Sequence, residues 1–88
     1  MVSYKIVFKP SVEKDLRSLP RSMITRVLRQ IEVLRKNPFP RQSMKLAGAE
    51  HLYRIRVGDY RVIYAVDKEA QEIMVHYIRH RREVYRGP

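Results

Sequence analysis

The residue types that carry chemistry in this chain are cations. Thirteen arginines, at positions 17, 21, 26, 29, 35, 41, 54, 56, 61, 79, 81, 82 and 86, stand beside six lysines and nine acids, for a formal net charge of +10. A guanidinium forks onto a phosphate or carboxylate with several donors, where an ammonium offers a compact charge. Three of the arginines fall where the sequence predicts a hairpin. Two β-type runs, about His51–Val57 and Tyr60–Val66, are separated only by Gly58-Asp59, a tight turn with glycine first. That turn sets Val57 against Tyr60, Arg56 against Arg61, Ile55 against Val62 and Arg54 against Ile63. One face then carries Tyr53, Ile55, Val57, Tyr60, Val62 and Tyr64, a core face, and the other carries Arg54, Arg56 and Arg61. Like charges opposed across strands cost up to about 1 kcal/mol. A hairpin selected for stability alone would set Glu or Thr against Arg. Arg56 facing Arg61 is therefore the pattern of a site that expects an anion. The plain alternatives are neutralisation by Asp59, Glu50 or Glu72, or long arginines splayed into water.

A second basic cluster lies near the C-terminus: Arg79, Arg81, Arg82 and Arg86, with His80 and Tyr85 among them. Cations interleaved with an aromatic ring suit RNA, because the cations take phosphates and the ring stacks on a splayed base. A solvated basic tail is the alternative. His51, His76 and His80 are too scattered for a metal set, no HExxH or Cys/His spacing exists, and the acids form no metal-binding cluster. His76 reads as structural, and His80 is the better site candidate. No Gly-rich phosphate loop is present, so nucleotide-triphosphate chemistry has no support and no cofactor is expected.

The rest of the chain reads as the scaffold for these side chains. Hydrophobic residues make up 44% and charged residues 32%, a globular composition rather than a disordered one. The absence of cysteine excludes disulfides and thiolate metal sites. No apolar run approaches the ~18–20 residues of a membrane span. Met1-Val2-Ser3-Tyr4-Lys5 lacks the pattern of a secretory signal, so a cytoplasmic location is expected. Ser3–Phe8 reads as a strand with Tyr4, Ile6 and Phe8 on one face. Ser11 is placed as an N-cap, followed by a helix with Val12, Leu16 and Leu19 at helical spacing. Between Pro20 and Lys36, the residues Met23, Ile24, Val27, Leu28, Ile31 and Leu34 make one apolar stripe. Asn37-Pro38 stops it. The last strand is expected at about Glu72–Arg79. The order strand, two helices, three strands predicts one α+β domain over residues 1–88, β-α-α-β-β-β, with a helical hairpin packed on an antiparallel sheet.

These residues resemble a known group. Tyr4-Lys5-Ile6-Val7-Phe8, Lys45-Leu46-Ala47-Gly48, the run Tyr53-Arg54-Ile55-Arg56-Val57-Gly58-Asp59-Tyr60-Arg61-Val62-Ile63-Tyr64 and the ending His80-Arg81-Arg82-Glu83-Val84-Tyr85 are similar to the RelE/ParE superfamily of toxins, and within it to RelE-type mRNA endonucleases. The resemblance implies ribosome-dependent, metal-independent cleavage of mRNA and neutralisation by an acidic RelB-like antitoxin. It places the site on Arg54, Arg56, Arg61, Arg81 and Tyr85, with catalytic roles for Arg61, Arg81 and Tyr85 and phosphate contacts from Arg54 and Arg56; the basic cluster near the C-terminus adds His80 and Arg82 as RNA or phosphate contacts. One departure matters. The best-known relatives carry Lys at the positions of Arg54 and Arg56, one of them proposed as general base, and a guanidinium keeps its proton at physiological pH. A ParE-like inhibitor of DNA gyrase is the competing implication. Such a protein has no need of Arg61, Arg81 and Tyr85 together.

Overall fold

The computed structural model describes residues 3–46, 48–49 and 51–82. Strand β1 (Lys5–Phe8) leads into helix α1 (Pro10–Arg17), helix α2 (Arg21–Leu34), a two-residue strand β2 (Met44–Lys45), and strands β3 (Leu52–Val57), β4 (Tyr60–Asp67) and β5 (Glu72–His80). The sheet order is β1-β5-β4-β3-β2. From β3 to β5 the sheet is antiparallel, as the sequence predicts; the short β2, which the sequence reading does not foresee, adds antiparallel to β3, and β1 departs from the expected antiparallel sheet by pairing in parallel with β5, with Lys5 against Glu72 and Phe8 against Val75. The whole is a five-stranded mixed sheet under a helical hairpin. The long path through α1, α2 and the later strands returns the chain beside β1, which the parallel arrangement requires.

Local chemistry sets the element ends, with one correction. Ser11 is not the cap of α1. Pro10 occupies the first helical turn and Lys9 is the N-cap, with no side-chain cap bond. Proline suits that position because its missing N–H has no partner in the first turn anyway. Pro20 plays the boundary role for α2. Val12, Val27, Ile31 and Leu34 are fully or nearly fully buried against Ile55, Val57, Val62, Tyr64, Val66, Ile73, Val75 and Ile78. Leu28 stays exposed, because it lies on the rim of the α2 stripe and Val27 and Ile31 take the centre. Phe8, at the end of β1, is also exposed.

Gly58 holds a φ of +60° in the two-residue turn between β3 and β4, and a Cβ there would meet Cε of Met23 at 3.1 Å. The turn therefore requires glycine for its backbone and sits close against α2. An irregularity between Ile63 and Tyr64 shifts the β4–β5 register, so Tyr64 faces Val75 and Ile63 faces Tyr77. His76 is the residue skipped. Burial and the nearby Lys9 hold its imidazole below the ordinary range.

Tyr64 anchors the core to the segment after α2. Its hydroxyl donates to the Pro38 carbonyl at 2.8 Å. Burial pushes its phenol from 10.0 up to about 12, against a lowering by Ser43. A phenol protonated more readily in the fold than in the unfolded chain contributes stability that is complete below pH 10 and lost as pH rises through about 12. Alkaline unfolding should show a loss of about 2–3 kcal/mol across that window from this group. Tyr64→Phe should remove that part of the slope and cost about 1–2 kcal/mol at neutral pH by leaving the carbonyl without its donor. Denaturant titrations from pH 7 upward check both.

Candidate active site

The hairpin register is as the sequence dictates: Val57 against Tyr60, Arg56 against Arg61, Ile55 against Val62, Arg54 against Ile63. On the other side of β4, Arg61 is paired with Arg79 of β5. Residues directly opposed across strands share a face. Arg56, Arg61 and Arg79 thus form one row across three strands, on the face of the sheet turned away from the helices. The sequence reading ends the last strand at Arg79, which it also counts in the basic cluster; in the structure β5 runs one residue further, to His80.

The three members of the row differ in setting. Arg56 is exposed, and its Nε donates to the Gly58 carbonyl at 3.3 Å, which folds its stem back over the turn. Arg61 is 7% exposed and is the only buried charged residue among those described. A stem so enclosed gives its guanidinium a fixed position. Arg79 is anchored by an acid that sequence reading did not foresee. Its Nη1 lies 2.6 Å from Oδ1 of Asp15 on α1, while Oδ2 of the same carboxylate accepts the Ile78 backbone N–H at 3.0 Å. The parallel pairing with β1 ends at Val75, so the edge of β5 beyond it needs another acceptor, and Asp15 supplies it. Of the neutralising acids considered from sequence, Asp59 and Glu72 make no ion pair with another described residue, and Glu50 lies outside the described residues.

Arg54 sits further along β3, opposite Met44 of β2, with Nη2 3.4 Å from the Met44 sulfur. It is half-buried on the face that carries Arg56. Arg81 follows β5 directly. Its backbone N–H donates to the Asp59 carbonyl at 2.8 Å, which ties the segment after β5 to the turn between Arg56 and Arg61. Its side chain is exposed, as is that of Arg82. The structure thus gathers Arg56, Arg61 and Arg81 around the hairpin tip, with Arg54 behind them. His80 is placed differently. It pairs with Tyr60, ring against ring edge-on at 5.3 Å, on the face opposite Arg61. Its Nδ1 accepts the Arg82 backbone N–H at 3.3 Å, which orients the start of the following segment. Tyr85 lies outside the described residues.

Chemically, this is a cationic surface built on a rigid sheet, with one buried guanidinium at its centre and no side chain among Arg54, Arg56, Arg61, Arg79 and Arg81 that accepts a proton at neutral pH. Such a surface grips a phosphate and stabilises negative charge that grows on its oxygens. A family model described as the ParE toxin of the type II toxin–antitoxin system parDE matches residues 6–85. A Methanocaldococcus jannaschii protein bearing the toxin name RelE1 is 31% identical over 90 residues, which span 99% of this chain and 100% of that one. Among solved structures, the archaeal RelE–RelB complex of Pyrococcus horikoshii contains a chain 35% identical with a TM-score of 0.81, over 91% of this chain and 97% of that one. The Mycobacterium tuberculosis RelBE2 toxin–antitoxin complex gives 27% identity and a TM-score of 0.79, over 94% and 97%. By sequence and by fold, the chain belongs to the RelE/ParE superfamily of type II toxin–antitoxin toxins.

Proposed function

We propose that this toxin is a ribosome-dependent endoribonuclease that cleaves mRNA in the ribosomal A site and so blocks translation. The observation that carries the reading is the cross-strand row Arg56–Arg61–Arg79 with Arg81 tethered to the same turn. It is costly to the fold and useful to a phosphodiester. In the reaction the ribose 2′-hydroxyl attacks its own 3′-phosphate, the bond from phosphorus to the 5′-oxygen breaks, and the products are a 2′,3′-cyclic phosphate and a free 5′-hydroxyl. Charge grows on the non-bridging oxygens. Arg61 and Arg81 stabilise it, each worth a few kcal/mol, and Arg54, Arg56 and Arg82 hold neighbouring phosphates. Guanidiniums supply this stabilisation without a metal ion. Tyr85 stacks on a base or moves a proton, and His80 orients the Arg81–Arg82 segment. The ribosome positions the message, which converts a poor acid–base set into an effective site.

The name of the matched family model favours a second reading, a ParE-like gyrase inhibitor. Uptake of labelled methionine and thymidine after induction separates the two. The nuclease stops methionine incorporation first and cuts messages. A gyrase inhibitor stops thymidine incorporation first with messages intact.

An acidic RelB-like antitoxin is the partner this reading requires. The solved relatives named above are toxin–antitoxin complexes. Leu28 and Val33 on α2 are exposed apolar residues that an amphipathic partner helix would cover. With +10 of charge on 88 residues, association should be steered electrostatically. The association rate, measured by stopped flow, should fall about tenfold or more between low and physiological salt. A rate independent of salt would count against charge steering.

A further inference from the structure

A second cationic feature lies round the edge of β3 from the arginine row. Arg26, Arg29 and Gln30 of α2, Gln42 of the following segment, and Arg56, Val57 and Gly58 of the hairpin line a cleft of about 220 Å³. Arg26, Arg29 and Arg56 are exposed, and no carboxylate of a described residue pairs with any of them. Arg26 and Arg29 are three apart on one helix, a spacing at which like charges repel. Gln42 Nε2 donates to Gln30 Oε1 at 3.3 Å and so ties the segment after the helix to the cleft wall. The turn can approach α2 closely because residue 58 has no side chain. Arg56 spends its Nε on the Gly58 carbonyl, which leaves both Nη groups to face an anion.

From this we infer that the cleft is a second phosphate site, which holds an RNA backbone phosphodiester beside the one being cleaved. The inference rests on the nuclease reading for its biological role, although the chemistry of the cleft stands without it. Three guanidiniums with no acid among them select an anion with several acceptor oxygens. The volume suits one phosphate group. The lining has no aromatic ring to stack a base, so recognition is of backbone rather than sequence. It has only Val57 as an apolar side chain, too little to grip the apolar residues that accompany acids in a folded peptide helix. Arg56 belongs to the cleft and to the row, so a strand held in one is delivered to the other. Arg26 and Arg29 are then positioning residues.

The test uses the full-length toxin and its Arg26→Ala/Arg29→Ala variant, in which two exposed helical positions take the best helix former. The first probe is a short 2′-O-methyl RNA, which lacks the attacking hydroxyl. By NMR, the Arg26, Arg29 and Arg56 side-chain Nε signals of the parent should shift on binding, and the double variant should bind about tenfold more weakly. Its plot of log affinity against log salt should be shallower by about 0.7, the share of one single-strand phosphate. The second probe is cleavage on programmed ribosomes. Half-saturation should rise about tenfold with the saturating rate unchanged, and Arg26→Lys/Arg29→Lys should recover part of the loss. If only programmed ribosomes show the defect, the phosphate is the message's, as proposed; equal weakening on vacant ribosomes would make it ribosomal and overturn its placement beside the scissile phosphate. Unshifted arginine signals with parental affinity and salt slope would overturn the proposal. So would a loss confined to antitoxin affinity, which would mark the cleft as a protein contact. A parent that binds the oligonucleotide in the cleft but leaves messages intact would sink the nuclease reading and leave the cleft standing.

Discussion

Arg61→Met is expected to lower message cleavage by about a hundredfold or more while the protein stays folded. Arg61 sits at the centre of the row, between Arg56 and Arg79, and is buried. A guanidinium fixed in that way is preorganised toward charge that appears only in the transition state, and loss of one such donor costs about 10²–10³ in rate. Methionine keeps an unbranched stem in the enclosed position and removes the charge. Relief of the opposition with Arg56, the Arg79 guanidinium being already paired with Asp15, offsets part of the lost polar contact, so stability should change by no more than about 1 kcal/mol. Alanine is a poorer probe at this position than sequence alone implies, because truncating a buried stem also removes packing. Thermal melts alongside single-turnover cleavage on ribosomes read both quantities. A marked drop in melting temperature for Arg61→Met would make Arg61 a structural residue and its loss of activity uninformative.

Naked RNA is expected to be cut at least about a thousandfold more slowly than message on translating ribosomes. The arginines of the row and of Arg81 cannot serve as general base, and proton transfer by a positioned group is worth about 10²–10⁴. Alignment of the 2′-hydroxyl with the departing 5′-oxygen is worth at least as much again and must come from whatever holds the strand. The residues at positions 54 and 56 sharpen the expectation, since both are arginines, which keep their protons at neutral pH. Rapid, substoichiometric cleavage of naked RNA would show that the chain carries a complete catalytic set, with Tyr85 or His80 at its centre. Chelation is no clean control, because ribosomes need magnesium.

What the sequence reveals here depends on how local the determining physics is. The Gly58-Asp59 turn dictates its own register, so the Arg56–Arg61 opposition and the two faces of the hairpin follow from a dozen contiguous residues. The ends of β3, β4 and β5 fall within a residue of the expected runs, with Gly58, Asp59 and Asp67 as local markers, whereas β1 starts at Lys5, two residues later than expected. The apolar spacing of α2 is equally local, although it overstates the stripe by including Leu28. Features built from distant segments are not legible in this way. Asp15 reaches Ile78 across 63 positions, and nothing in either neighbourhood announces the pair. The parallel β1–β5 pairing joins the first strand to the last. Strand β2 is two residues long, too short for any periodicity. Arg26 and Arg29 read as the polar side of a helix until the hairpin is seen to stand beside them. His80 illustrates the limit of counting along a strand, since the register shift at His76 puts it on the face of Tyr60.

Primer extension on a defined message in a purified translation system tests the central claim most directly. With the parent toxin, new 5′ ends bearing free hydroxyls should appear inside the reading frame at codons in the ribosomal A site, within one round of translation. Arg61→Met and Arg81→Ala should leave the message full length under the same conditions. The account is contradicted if the message stays intact with the parent while the same protein halts gyrase-driven supercoiling.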